Sequence, residues 1–172
     1  IMPSLVGSEM CIRDRVCSSV RGLMGGGGEP GHVNKIEYIT INTEGNSVDF
    51  GDLSQSRNYL GGASSNTKGV FAGGSVSSES DIVDSVNIAS TGDAVNFGDL
   101  SAARNFCAGT SNYQRAVFGG GGEPTIVNTI NYFTISTAGD AVDFGDLSVA
   151  RTATGACSSA HGGLEVFDPT TR

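Results

Sequence analysis

Gly92-Asp93-Ala94-Val95-Asn96-Phe97-Gly98-Asp99-Leu100-Ser101-Ala102-Ala103-Arg104 decides the architecture. It is written again at Gly139–Arg151 with eleven of thirteen residues unchanged. Its centre, Phe-Gly-Asp-Leu-Ser, also stands at Phe50–Ser54, so the string recurs at Phe50, Phe97 and Phe144 with a spacing of 47. Arg57, Arg104 and Arg151 follow at the same spacing, and glycine runs stand at Gly25, Gly73 and Gly119, with Ala72 opening the middle one. Gly25–Pro30 reappears whole at Gly119–Pro124. A fixed period of this length marks tandem structural units, each too small to bury its apolar face alone.

Each period carries four strand-like stretches. Ile36–Ile41, with its copies Val83–Ile88 and Ile130–Ile135, is rich in β-branched and aromatic residues. Glycine beside Asn or Asp follows at Gly45-Asn46, Gly92-Asp93 and Gly139-Asp140, as a tight hairpin requires. Val48-Asp49-Phe50 then alternates apolar and polar residues, which predicts one buried face. Arg57–Gly62 opens a third stretch after the Asp-Leu-Ser turn, and Lys68–Gly74 is the fourth. Four short strands per period predict an all-β chain of about three four-stranded antiparallel units, the blades of an incomplete β-propeller. A β-helix coil would use a shorter period, and the apolar spacing of roughly 3.6 residues that helical repeats need is absent.

Composition agrees. Charged residues are 16% and 26 of the 172 residues are Gly, which suits a turn-rich β fold. The net charge of −8 argues against nucleic acid and anionic membrane as partners, since both need a basic face. No run of about 18 apolar residues is present to form a membrane span.

Val117-Phe118-Gly119-Gly120 and Gly98-Asp99-Leu100-Ser101-Ala102-Ala103-Arg104 resemble the kelch repeat, with its diglycine closing the second strand. The resemblance covers roughly 16–163, in units of about 25–71, 72–118 and 119–165, and departs where Phe50, Phe97 and Phe144 replace the usual Trp. It implies kelch-like β-propeller blades. Asn87–Leu100 is further similar to repeats of virion-associated proteins of marine bacteriophages, which implies a tail or particle-surface role. Leu5–Asp14 resembles, over all ten residues, the translation of a transposase-type sequencing adapter. Residues 1–15, with Arg15 as the junction, are therefore expected to be a non-native leader, which leaves the true N-terminus and the compartment unread. Leu164–Thr171 resembles the third strand of ordinary kelch blades but arrives about fifteen residues early, so 164–172 is expected to be a partial or mosaic blade end.

The sharpest polar positions are Asp52, Asp99 and Asp146 with Arg57, Arg104 and Arg151. One reading is a ring of charges around a channel, holding an anion or metal. The other is structural, with Asp capping the Gly-Asp-Leu-Ser turn and Arg pairing with carboxylates or carbonyls between blades. Presence in every copy favours the structural reading. Cys11, Cys17, Cys107 and Cys157 share no metal or disulfide spacing, and His32 and His161 stand alone. Gly25–Gly28 is followed by Glu-Pro where a phosphate loop needs Gly-Lys-Ser or Gly-Lys-Thr. Glu29 or Glu123 with Asp49 or Asp143 lacks a calcium-loop string. No catalytic, cofactor-binding or metal-binding residues are therefore assigned.

Binding is expected in the variable loops, at 29–34, 76–81 and 123–128 and, at another set of turns, 64–67 and 111–114. Asn112-Tyr113-Gln114, an aromatic between two amides, is the possible ligand-contact loop, of a composition suited to carbohydrate. The expectation is a non-catalytic structural or binding module of a phage particle or other extracellular surface, with protein subunits or a surface glycan as partner. The alternatives are an intracellular kelch-type interaction domain and a piece of a secreted propeller enzyme whose active site lies elsewhere. Open blade edges predict marginal stability or self-association.

Overall fold

The computed structural model of the chain describes residues 15–28, 31–122 and 125–156. Residues 1–14 of the expected leader, the Glu-Pro pairs 29–30 and 123–124, and 157–172 with Cys157, His161 and the expected blade end 164–172 lie outside the described residues.

Strands β1 (Arg15–Cys17), β2 (Arg21–Gly25), β3 (Lys35–Thr40) and β4 (Val48–Asp52) pair in that order as one antiparallel sheet. β5 (Gly61–Ser64), β6 (Lys68–Ala72), β7 (Ile82–Asn87) and β8 (Val95–Asp99) form the second. β9 (Ala108–Ser111), β10 (Arg115–Gly119), β11 (Thr129–Thr134) and β12 (Val142–Asp146) form the third. Among the described residues the chain is all-β, three blade-like sheets that do not close on one another. Arg15, read as a junction, pairs with Met24 at the head of β1.

The sheets are phased differently from the sequence units. Counting from the glycine runs gives 25–71, 72–118 and 119–165, whereas the hydrogen-bonded sheets run 15–52, 61–99 and 108–146. A repeat fixes the period and leaves the starting point free. The third stretch also starts later than expected: 57–60 crosses between sheets, and β5 begins at Gly61. Tyr59, Phe106 and Ala153, one period apart, adopt left-handed φ of 57°, 52° and 60°, the first two standing two residues before β5 and β9. That conformation costs roughly 1–2 kcal/mol in a non-glycine residue. Here it stacks the Tyr59 and Phe106 rings at 4.1 Å and lets Phe106 N donate to Tyr59 O at 3.0 Å.

The core lies between consecutive sheets. Val16, Leu23, Ile36, Phe50 and Leu53 of the first meet Leu60, Phe71, Val86 and Ile88 of the second. Moving each of these nine positions by 47 gives Ala63, Val70, Val83, Phe97 and Leu100 against Cys107, Phe118, Phe133 and Ile135, the core between the second and third sheets. One interface is thus built twice. In Val48-Asp49-Phe50 only the Phe is buried; Val48, Val95 and Val142 are exposed at the start of each outer strand, so the alternation overstated the buried face.

The first strands of the sheets lie side by side, joined by hydroxyls one period apart. Ser64 Oγ donates to Cys17 O at 2.9 Å and accepts from Cys17 N, and Ser111 Oγ does the same to Ser64. On the outer side, the turn of each sheet clamps the last strand of the preceding one. Gly92 N donates to Phe50 O and Ala94 N to Asp52 O, and one period later Gly139 N donates to Phe97 O and Ala141 N to Asp99 O. Gly51 and Gly98 leave room for that clamp, because a Cβ on either would overlap the Gly92 or Gly139 carbonyl oxygen.

Candidate functional site

The repeated Arg and Asp positions do not form a ring open to ligand. Arg57 is 0% exposed, in the crossing from the first sheet to the second. Its backbone belongs to the first sheet, with Gly27 N donating to Arg57 O and Arg57 N to Val33 O. Its guanidinium belongs to the second, donating to Gly73 O and Ile82 O at 2.7 Å each and to Asp84 Oδ2 at 2.5 Å. Arg104 repeats the device, donating to Thr129 O at 3.1 Å and to Asn131 Oδ1 at 2.5 Å. Burial holds both guanidinium groups below the usual arginine range, and the carboxylate of Asp84 opposes that shift at Arg57. Arg151, the third copy, is exposed, and among the described residues its Nε donates only locally, to Val149 O.

Asp52 does not cap its own turn, which corrects the expected role. The turn is capped from the next sheet: Ser54 N and Oγ donate to Asp84 Oδ2, and Ser101 N and Oγ to Asn131 Oδ1. The Asp52 carboxylate pairs instead with Lys35 Nζ at 3.0 Å, a contact that raises the lysine pKa. Backbone N of Asp52 and of Asp99 donate to Asp93 Oδ1 and Asp140 Oδ1 of the following sheet's turn. Asp146 stands at the corresponding end of β12 and is exposed.

Asp84 and Asn131, which the sequence reading missed, are therefore the polar centres of the two interfaces. Both sit at a strand irregularity, Val83/Asp84 and Ile130/Asn131, that turns a side chain out of the regular alternation. The available signal was an oxygen-bearing side chain at one place in each period, Glu37, Asp84 and Asn131, each directly after a β-branched residue.

The possible ligand-contact loop is the β9–β10 turn. Asn112 Oδ1 accepts from Gln114 N at 2.8 Å and Arg115 N at 2.7 Å, so its amide oxygen sets the turn. Tyr113 is 67% exposed at the tip, with exposed Gln114 beside it. The two preceding sheets build the same turn with hydroxyls. Ser65 Oγ accepts from Thr67 N and Lys68 N, and Ser18 Oγ accepts from Val20 N and Arg21 N. The frame is thus constant while the tip changes from Ser19 to Asn66 to Tyr113.

At the opposite end of the strands, the 76–81 loop lines an open depression of about 490 Å³ with Gln55 and Ser56. Among the described residues no three His, Cys, Asp or Glu side chains converge as a metal site. Asp49 lies 3.8 Å from Lys35 Nζ, and Asp143 accepts from Gly145 N. Cys17 is half-buried, and Cys107 is buried with its thiol donating to Ala72 O at 3.8 Å. His32 is exposed.

No family model matches the chain, and no curated protein matches it at a significant level.

Proposed function

We propose that the chain is a non-catalytic binding module built from kelch-like propeller blades and displayed on a phage tail, a particle surface or another extracellular surface, where it binds a glycan. The observation that carries this reading is the row of β-hairpin tips held by the same pair of capping bonds, from Ser18, Ser65 and Asn112, while the tip varies, Ser19, Asn66 and Tyr113. Loops that vary on a rigid β frame are where specificity is placed, and an exposed ring with two rotatable bonds offers contact area at low entropic cost. The kelch-like part rests on the diglycine. Gly26, Gly73 and Gly120 have φ of 71°, 67° and 65°, and a Cβ on Gly26 or Gly73 would overlap the carbonyl oxygen of Arg57 or Arg104. Arg57, Arg104 and the backbone of Asp52 and Asp99 are taken up in joining the sheets, and the tips are a variable surface.

A glycan array probed with the chain and with Tyr113→Ala tests the reading. Bound glycans whose signal falls about tenfold or more in Tyr113→Ala, with Asn112→Ser retaining binding because serine caps the sister turns, is the expected result. An array without a bound glycan, or one indifferent to Tyr113→Ala, sinks it.

A further inference from the structure

Because one interface is built twice, its next copy can be drawn from the two outward faces. On the third sheet the Phe50 and Phe97 position is Phe144, which is 54% exposed where its sisters are 2%. Leu147, in the place of buried Leu53 and Leu100, is half-buried. On the first sheet the positions of Val86 and Ile88 are Ile39 and Ile41, 40% and 52% exposed against 4% and 1%. Each bare face therefore carries the apolar half that the other lacks.

The polar devices match as well. Arg151 occupies the position of Arg57 and Arg104 and, among the described residues, has no carboxylate or amide acceptor. Glu37 occupies the position of Asp84 and Asn131, follows the same strand irregularity at Ile36/Glu37, and is exposed, accepting among the described residues only from Ser47 Oγ at 3.2 Å. Gly145, the sister of Gly51 and Gly98, has open space where their Cβ would strike the next turn; among the described residues the exposed Gly45-Asn46 turn of the first sheet shows no counterpart of the bonds made by Gly92 N and Asp93 Oδ1.

We propose that the outward face of the third sheet docks on the outward face of the first sheet of a second copy, Arg151 of one copy pairing with Glu37 of the other. Phe144 then packs on Ile39 and Ile41, and Asp146 N donates to the Asn46 side-chain oxygen, as Asp52 N does to Asp93. Every one of these groups lies on β12 and the segment after it or on β3, β4 and their turn. The contact is heterologous, and two copies joined this way at both ends bring six sheets together, within the roughly four to eight of closed blade rings. It is independent of what the hairpin tips bind.

Sedimentation equilibrium of the whole chain, in about 0.15 M salt to screen the like net charges, tests it. The expected species has twice the chain's 17.5 kDa. Arg151→Glu alone and Glu37→Arg alone each weaken association by at least about tenfold, since they oppose like charges. The double variant, in which the pair is exchanged, restores it. Both residues are exposed, so circular dichroism of the single variants matches the parent. A chain that stays monomeric at about 100 μM, well above ordinary interface affinities, overturns the proposal. So does association indifferent to the charge reversals, or a double variant that fails to reassociate.

Discussion

At Arg57 a fully buried guanidinium is answered by a carboxylate, whereas at Arg104 the same position is answered by the amide of Asn131, in the same geometry. The second interface is thus a natural control for the first. Asp84→Ala leaves a buried charge and the Ser54 turn without their acceptor, and a broken buried pair costs about 3–5 kcal/mol. Asp84→Asn keeps an acceptor oxygen where Asn131 has one and is expected to cost under about 1.5 kcal/mol. Urea denaturation of the two variants measures the difference, and equal losses would show that charge and not hydrogen-bond geometry holds the joint. The Arg half of this device was legible in the sequence because it is identical in every copy. Its acceptor was not, because Glu37, Asp84 and Asn131 share an oxygen at one backbone position and no side-chain identity.

At the scale of the element, each outer strand is finished by the turn of the next sheet, and the glycine of Phe-Gly-Asp is the point of closest approach. Gly98 and Gly145 hold nearly the same φ, 150° and 135°, so Ala at either site meets a similar backbone penalty. Only at Gly98 would the new Cβ also strike the Gly139 carbonyl. Gly98→Ala is therefore expected to destabilise the chain by about 1–3 kcal/mol more than Gly145→Ala, as read by thermal melts of both at low concentration. Equal melting points would remove the clamp from the interface. The hairpin, its glycines and the four strands could be read from turn chemistry and period-two patterning. The grouping of β5 and β6 with β7 and β8 could not, because local patterns recur identically whichever strand is counted first. Only backbone pairing between stretches fixes that grouping.

For the whole molecule, stability in a stacked array is the sum of the sheets and the interfaces between neighbours. Three sheets here share two interfaces, so a residue's energetic weight depends on which copy it occupies. Phe50, Phe97 and Phe144 make this measurable, since one residue type sits in one local sequence with two buried copies and one bare. Ala at Phe50 or Phe97 removes a ring from a filled core and is expected to cost about 3–5 kcal/mol. At Phe144, in dilute solution, where single copies prevail, the cost is expected to stay below about 1 kcal/mol. If the end faces dock between copies, raising the concentration stabilises the parent by mass action. Phe144→Ala then falls behind it, while the deficits of Phe50→Ala and Phe97→Ala remain those of an internal core. Melting the four proteins at two concentrations therefore separates the two kinds of burial. A Phe144→Ala deficit as large as the others at the lowest concentration would mean that the face is already covered within a single copy.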